Sequence, residues 1–334
     1  MKKIGNQSYL LNNPVSILET ASIVGKKESS GPLAKYFDIC LEDEFYGEKT
    51  WEKAEAKMIH TAVENVIRKS NLTNSEIDFL LSGDLLNQCI SSSFGVRDFE
   101  IPFLGIFGAC STFVEGLCIG SMLLDGGAGN SGIVSTSSHF CSAEKQFRFP
   151  LELGTQRPPS AQWTVTGGAA AALSKSGTGP FITCVTLGKI VDRGIKDTNS
   201  MGSAMAPAAI STILAHLKDT GRSPSYYDAI ITGDLGYIGK EIVLDICKSE
   251  GYNLSSVYND CGVLIFDKDK QDTHSGGSGC ACCGTVFSGY FYNQLKNKKI
   301  KKMLLIATGA LMNSISSQQG ESIPGIAHAV CIEI

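Results

Sequence analysis

Histidine is scarce in this sequence, with five in 334 residues, and there are only two tryptophans. Any chemistry built on imidazole must therefore draw on His60, His139, His216, His274 and His328. No basic run exceeds the NKKIKK segment at 297–302, and the net charge is −4, which argues against nucleic acid as a partner. No uninterrupted apolar run approaches the roughly 18 residues that would span a bilayer. The opening MKKIGNQSYL has the charge of an export signal without its apolar centre. Twelve cysteines could suggest a disulfide framework, but such frameworks belong mostly to short secreted chains. The reading is a reducing, cytosol-like compartment with free thiols.

What is present is a phrase said twice. EIDFLLSGDL at 76–85 returns as YYDAIITGDL at 226–235, and the offset is constant at 150, from Asp78 to Asp228 and from Asp84 to Asp234. Each copy is followed by a cysteine in a Gly-rich turn, GIFGACST around Cys110 and GGSGCACCGT around Cys282. The chain thus reads as two similar halves, 1–176 and 177–334, each of ordinary domain size. Two facing halves bring these turns together at their junction, the expected place for a ligand.

The apolar fraction of 43% with 19% charged residues is that of a globular protein. The periodicity predicts a strand at 15–25, a helix at 51–70, strands at IDFLLSGD and LGIFGAC, a helix at 111–125, and strands at 132–138 and 166–173. The order then repeats. A strand at 181–191, a helix at 206–219, the AIITGD strand and a helix at 238–249 come first; VLIFD, a helix at 285–296, MLLIATG and AHAVCIEI follow. Continuous Val, Ile and Leu strands alternating with helices predict sheets covered on both faces, an α/β fold layered α/β/α/β/α. Residues 139–165, polar and aromatic and carrying RPPS, read as a functional loop.

Cys110 at the first turn of a helix would face unpaired N–H groups and the positive end of the helix dipole. These lower a thiol pKa and suit a nucleophile, and they equally suit capture of an anion together with Ser111. A small buried residue where strand meets helix is the third reading. Cys280, Cys282 and Cys283 lack the paired spacing of a zinc site and read as small residues at a close helix approach. No metal or cofactor is expected. Asp84 and Asp234 read equally as turn residues or pocket residues. His60 and His216 read as solvated or core-edge residues, and His274 lies in a polar loop; His139 and His328 could reach the junction.

Cys110 in GAC-S after an apolar strand, the later GGAAAAL and the small-residue terminal strand together resemble the thiolase and ketoacyl synthase superfamily. The ordered set FGACST, QRPPSAQWTVTGGAA, NDCGVLIFD, GGSGCACC and ESIPGIAHAV, covering nearly the whole chain, resembles the stage V sporulation protein AD family of spore-forming bacteria. That resemblance implies binding of dipicolinic acid, pyridine-2,6-dicarboxylate, during its loading into the developing spore. It implies integral membrane partners of a sporulation transport complex, a peripheral position at the spore inner membrane, and a homodimer formed through the first half. Calcium would enter only within the ligand complex. Condensing members of the superfamily pair their cysteine with two histidines, or His and Asn; the matching places here hold Asp234 after Gly233, and Cys282 or Cys283. The second cysteine of biosynthetic thiolases falls at about Glu321, and a carboxylate beside a thiolate would raise its pKa. The resemblance thus implies capture, with acyl transfer through a Cys110 thioester as the alternative. For two carboxylates the candidate donors are Arg157, Arg148, Lys189 and Arg193, with Trp163 placed to stack on an aromatic ligand near Arg157.

Overall fold

The computed structural model describes residues 1–147 and 157–334. Ten strands form the body of one continuous sheet. In the first half the order from the edge inward is Phe103–Gly105, Phe79–Gly83, Ser131–Ser138, Gly167–Ser174 and Ser8–Val24. In the second half it is Tyr258–Asp260, Ala229–Thr232, Lys302–Ala310, Gly325–Glu333 and Phe181–Thr186. Numbered along the chain within each half, both read 3-2-4-5-1. The pairings match as well, parallel from strand 3 to 2 and 2 to 4, antiparallel from 4 to 5 and 5 to 1. The two first strands pair antiparallel with each other and form the seam.

Side chains leave a strand on alternate faces, so a strand apolar at every position needs cover on both. Along Lys302–Ala310, Leu304 and Ile306 pack outward against Met205, Ala209 and Ile213 of the helix Met201–Thr220. Met303, Leu305 and Ala307 turn inward to the central layer with Phe113, Leu117, Cys283 and Phe287. Along Gly167–Ser174, Ala170 and Ala172 face Met58, Ile59 and Val63 of the outer helix Trp51–Ser70, while Ala169 and Leu173 face the centre. The central layer holds the helix Thr112–Asp125 and the helical run 280–296, and Thr112–Asp125 touches strands of both halves. The result is α/β in five layers, α/β/α/β/α. Truncating a fully buried member such as Met58 or Leu305 to Ala should cost about 2–5 kcal/mol.

Four elements depart from the sequence reading. The first strand begins at Ser8, because a register shift between Leu10 and Val15 takes up the exposed Asn12, Asn13 and Pro14 that look like a break in the sequence. The helix expected from 206 starts at Met201 and carries Pro207 inside it. VLIFD is not a strand: Tyr258–Asp260 is, and Asp260 caps the short helix Cys261–Leu264 by accepting from Val263 N–H at 3.2 Å. Within 139–165, the described part contains the helix Phe140–Phe147 and a short strand, Trp163–Thr164, paired parallel with Gly277–Ser278. Among the described residues no helix is long and apolar enough to cross a membrane.

Candidate functional site

The turn Gly108–Ser111 ends the third strand of the first half and delivers Cys110 to the start of a central helix. Ala109 is held at a left-handed φ of 50°, an uncommon place for a residue with a Cβ. Gly309 of the facing second-half strand lets this turn come close, since a Cβ there would meet Gly108 O at 2.3 Å. The Cys280 thiol donates to Ala109 O at 3.0 Å and ties the turn to the second central helix.

Cys110 is 7% exposed and lines a cavity of about 680 Å³, mouth included. Leu85, Phe107, Phe147, Met201 and Met312 give the cavity its apolar side; Glu144, Gln162, Thr164, Thr198, Asn199 and Ser278 give its polar side. The Trp163–Thr164 and Gly277–Ser278 ribbon sets Gln162, Thr164, Ser278 and Gly279 on one wall. No histidine, lysine or arginine among the described residues lines it.

Behind the sulfur stands Asp234. Its Oδ1 accepts from Thr308 Oγ1 at 2.5 Å, and its Oδ2 accepts from Ser278 Oγ at 3.0 Å and from Gly279 N–H at 3.2 Å. The Cys110 thiol lies 3.9 Å from Ser278 Oγ, which in turn donates to this carboxyl. Burial pushes Asp234 up to about 6, against the hydrogen bonds that favour its ionised form. The same burial, with the Asp234 charge second, pushes the Cys110 thiol well above its ordinary range. The expected lowering by the helix dipole is therefore reversed. Desolvation and a neighbouring carboxylate outweigh a partial charge that is worth about 1 kcal/mol. The N–H groups of Ser111 and Thr112, expected to hold an anion, are taken by Gly108 O and Ala109 O within the turn.

The other residues singled out from the sequence lie elsewhere. Asp84, the repeat mate of Asp234, accepts from Leu86 N–H, Ser92 N–H and Ser92 Oγ at 2.7–2.8 Å and holds its own turn. Ser111 is buried and donates to Gly108 O at 2.7 Å. His139 is buried, bonded through Nε2 to Glu44 O at 2.7 Å and accepting at Nδ1 from Cys141 N–H. His328 accepts from Gly188 N–H at 3.2 Å, and burial lowers its pKa to about 4. Cys283 packs in the core against Cys261. Glu321 is exposed on the approach to the last strand, so the carboxylate beside the thiol is Asp234 instead.

Arg157 is turned to Asp272, with Nη2 at 2.9 Å from Oδ2, and Trp163 stacks on Phe140 with centroids 3.6 Å apart. Neither residue lines the cavity. Lys189 and Arg193 are exposed, and Arg148 lies outside the described residues. His216, expected at the core edge, is fully buried between Thr186 and Tyr227. Sequence reasoning did not single out Gln162, Ser278, Thr308 or Phe107. The first three were legible only as parts of Gly-rich or strand-end segments, because their role depends on which turn faces them across the junction.

The order of strands, the paired central helices and a cysteine at the junction define a thiolase-like protein. Solved structures agree on the fold. A crystal structure of 3-oxoacyl-[acyl-carrier-protein] synthase III from Aquifex aeolicus is 13% identical, covering 96% of this chain and 100% of that one at a TM-score of 0.57. Cerulenin-bound OleA of Xanthomonas campestris is 15% identical over 96% of this chain and 97% of that one, also at 0.57. At such identity the likeness speaks for the fold alone. The family model of Stage V sporulation protein AD matches residues 5–333. Stage V sporulation protein AD of Bacillus subtilis (strain 168) is 43% identical over 333 residues, covering 100% of this chain and 98% of the relative. The chain belongs to the Stage V sporulation protein AD family.

Proposed function

We propose that this sporulation protein is a carrier that captures dipicolinate, free or as its calcium chelate, in the junction cavity and passes it to integral membrane partners at the spore inner membrane. The observation that carries this reading is Cys110 itself. It lines the cavity, yet burial and the nearby Asp234 charge oppose its ionisation, and no imidazole is among the described lining residues. A nucleophilic cysteine needs its thiolate and an acid or base within reach. Acyl transfer through Cys110, the competing reading, finds a thiol whose ionisation is opposed and no imidazole among the described lining residues. A planar aromatic ring suits the apolar side formed by Phe107, Phe147 and Met312, and the hydroxyl and amide groups of Thr164, Thr198 and Asn199 are suitable donors to a carboxylate.

The first-half edge strand Phe103–Gly105 is exposed along its length, with Phe103, Leu104 and Phe107 beside it also exposed. An unpaired edge flanked by apolar side chains suits pairing with a second copy, so we propose a homodimer built there. Calorimetric titration with pyridine-2,6-dicarboxylate tests the ligand, with pyridine-2-carboxylate as control and Ala143→Leu to fill the cavity. Saturable heat that the control and the filled variant lose is the expected outcome; absence of heat at millimolar ligand would refute the reading.

A further inference from the structure

One wall of the cavity, with Ala143, Glu144 and Phe147, is the helix Phe140–Phe147. It is seated on the outer helix Trp51–Ser70 through Glu55, which is 1% exposed. Glu55 Oε1 accepts from Ser137 Oγ at 3.1 Å, and Oε2 lies 2.5 Å from Ser142 Oγ. Ser142 Oγ also lies 3.1 Å from His139 O, the carbonyl that takes the Ala143 N–H at 2.9 Å and so opens the wall helix.

A serine hydroxyl has one hydrogen, and here two acceptors stand within its reach. Both contacts are full hydrogen bonds only when the Glu55 carboxyl brings a proton of its own. Oε2–H then donates to Ser142 Oγ, and the Ser142 hydroxyl donates to His139 O. Asp84 is the opposite case: Leu86 N–H, Ser92 N–H and Ser92 Oγ all donate to it, which suits an ionised carboxylate. Burial first, and the Asp84 charge second, push Glu55 up to about 8. The other groups around it do not reverse this. Cys280, from the second central helix, is a thiol that burial keeps from ionising, and Glu52, one turn earlier on the same helix as Glu55, is taken by Lys145 at 2.6 Å. The wall helix also brings Cys141 and Glu144, and burial keeps His139 at its start from charging. Ser131–Ser138, Gly167–Ser174 and Ile90–Val96 pack on Trp51–Ser70 without an ionisable side chain, and Glu19 of Ser8–Val24 is taken by Lys296.

We propose that Glu55 is a proton-operated latch on the cavity: its protonated carboxyl seats the wall helix, and loss of that proton to solvent loosens the wall. With the proton gone, Ser142 turns to the carboxylate and His139 O loses its hydroxyl. A second negative charge is then left buried beside Asp84. In the loosened state Glu55 meets water and returns toward its ordinary value of 4.5. The seated form therefore binds more protons between 4.5 and about 8, so opening gains about tenfold per pH unit across this window and levels off above it. Low pH keeps the wall shut, and rising pH gives access to the cavity whatever ligand it takes.

The test is amide hydrogen exchange of the full chain at pH 6, 7 and 8, read by mass spectrometry and divided by the rate of the unstructured sequence at each pH. Peptides over 140–147 should lose protection about tenfold from pH 6 to 7 and somewhat less from pH 7 to 8, while those over Met201–Thr220 hold theirs. Glu55→Gln copies the protonated acid, its carbonyl accepting from Ser137 and its amide N–H donating to Ser142. Its wall peptides should keep at pH 8 the protection they have at pH 6. Should that variant fold poorly, the wild-type profile decides alone. A wild-type wall without slope, a slope shared equally by Met201–Thr220, or a Glu55→Gln wall that slopes as the wild type does would each overturn the proposal.

Discussion

In the first half Asp78 receives the N–H groups of Asn130 and Ser131, just where the fourth strand begins; in the second, Asp228 receives those of Lys301 and Lys302 at the equivalent place. The second acids of the repeat have parted ways. Asp84 holds its own turn through Leu86 and Ser92, beside the buried Glu55, whose pKa is raised chiefly by burial and then by the charge of Asp84. Asp234 instead reaches across to Ser278, Gly279 and Thr308 and to the thiol of the other half. Its own neighbour acid, Asp260, is pushed up by burial to about 7 and holds the Leu235 and Gly236 N–H groups, the task Asp84 performs for itself. Both halves keep the acid that holds strands in register. In the second half the other acid serves the junction, and that is where the cavity lies.

The largest effect that would break this comparison is on stability. Asp84→Ala should cost about 3 kcal/mol in denaturant unfolding, since two N–H groups and a hydroxyl lose a buried acceptor. It should leave the alkylation rate of Cys110 unchanged. Next in size, Asp234→Asn removes the charge beside the thiol while leaving its burial, so Cys110 should react several-fold faster with iodoacetamide at pH 8. Asp84→Asn should not move that rate. An equal response of Cys110 to both variants would erase the distinction between the two acids. Smallest, Asp78→Ala and Asp228→Ala should each cost about 1 kcal/mol, alike within error, as partly exposed acceptors with the same task.

Much of the fold could be read in advance, because periodicity and the 150-residue offset report local and repeated physics. The strands around Leu81, Val134 and Leu305 are apolar on both faces, and a sheet between helix layers is the arrangement that buries such faces. The site was less legible. Cys110 could be placed at the junction from its turn, but its ionisation could not, since Asp234 reaches it across 124 positions of sequence. Arg157 and Trp163 looked like ligand contacts in the segment QRPPSAQW, yet Asp272 and Phe140 already engage them. Gln162, one position before Trp163, lines the cavity instead.

The proposed carrier function requires that this thiolase-like junction hold its ligand without bonding to it covalently. Incubating the pure protein with acetyl-CoA and with malonyl-CoA and weighing it intact addresses this directly. The account predicts an unmodified mass with both donors; an acyl adduct on Cys110 that turns over would contradict it.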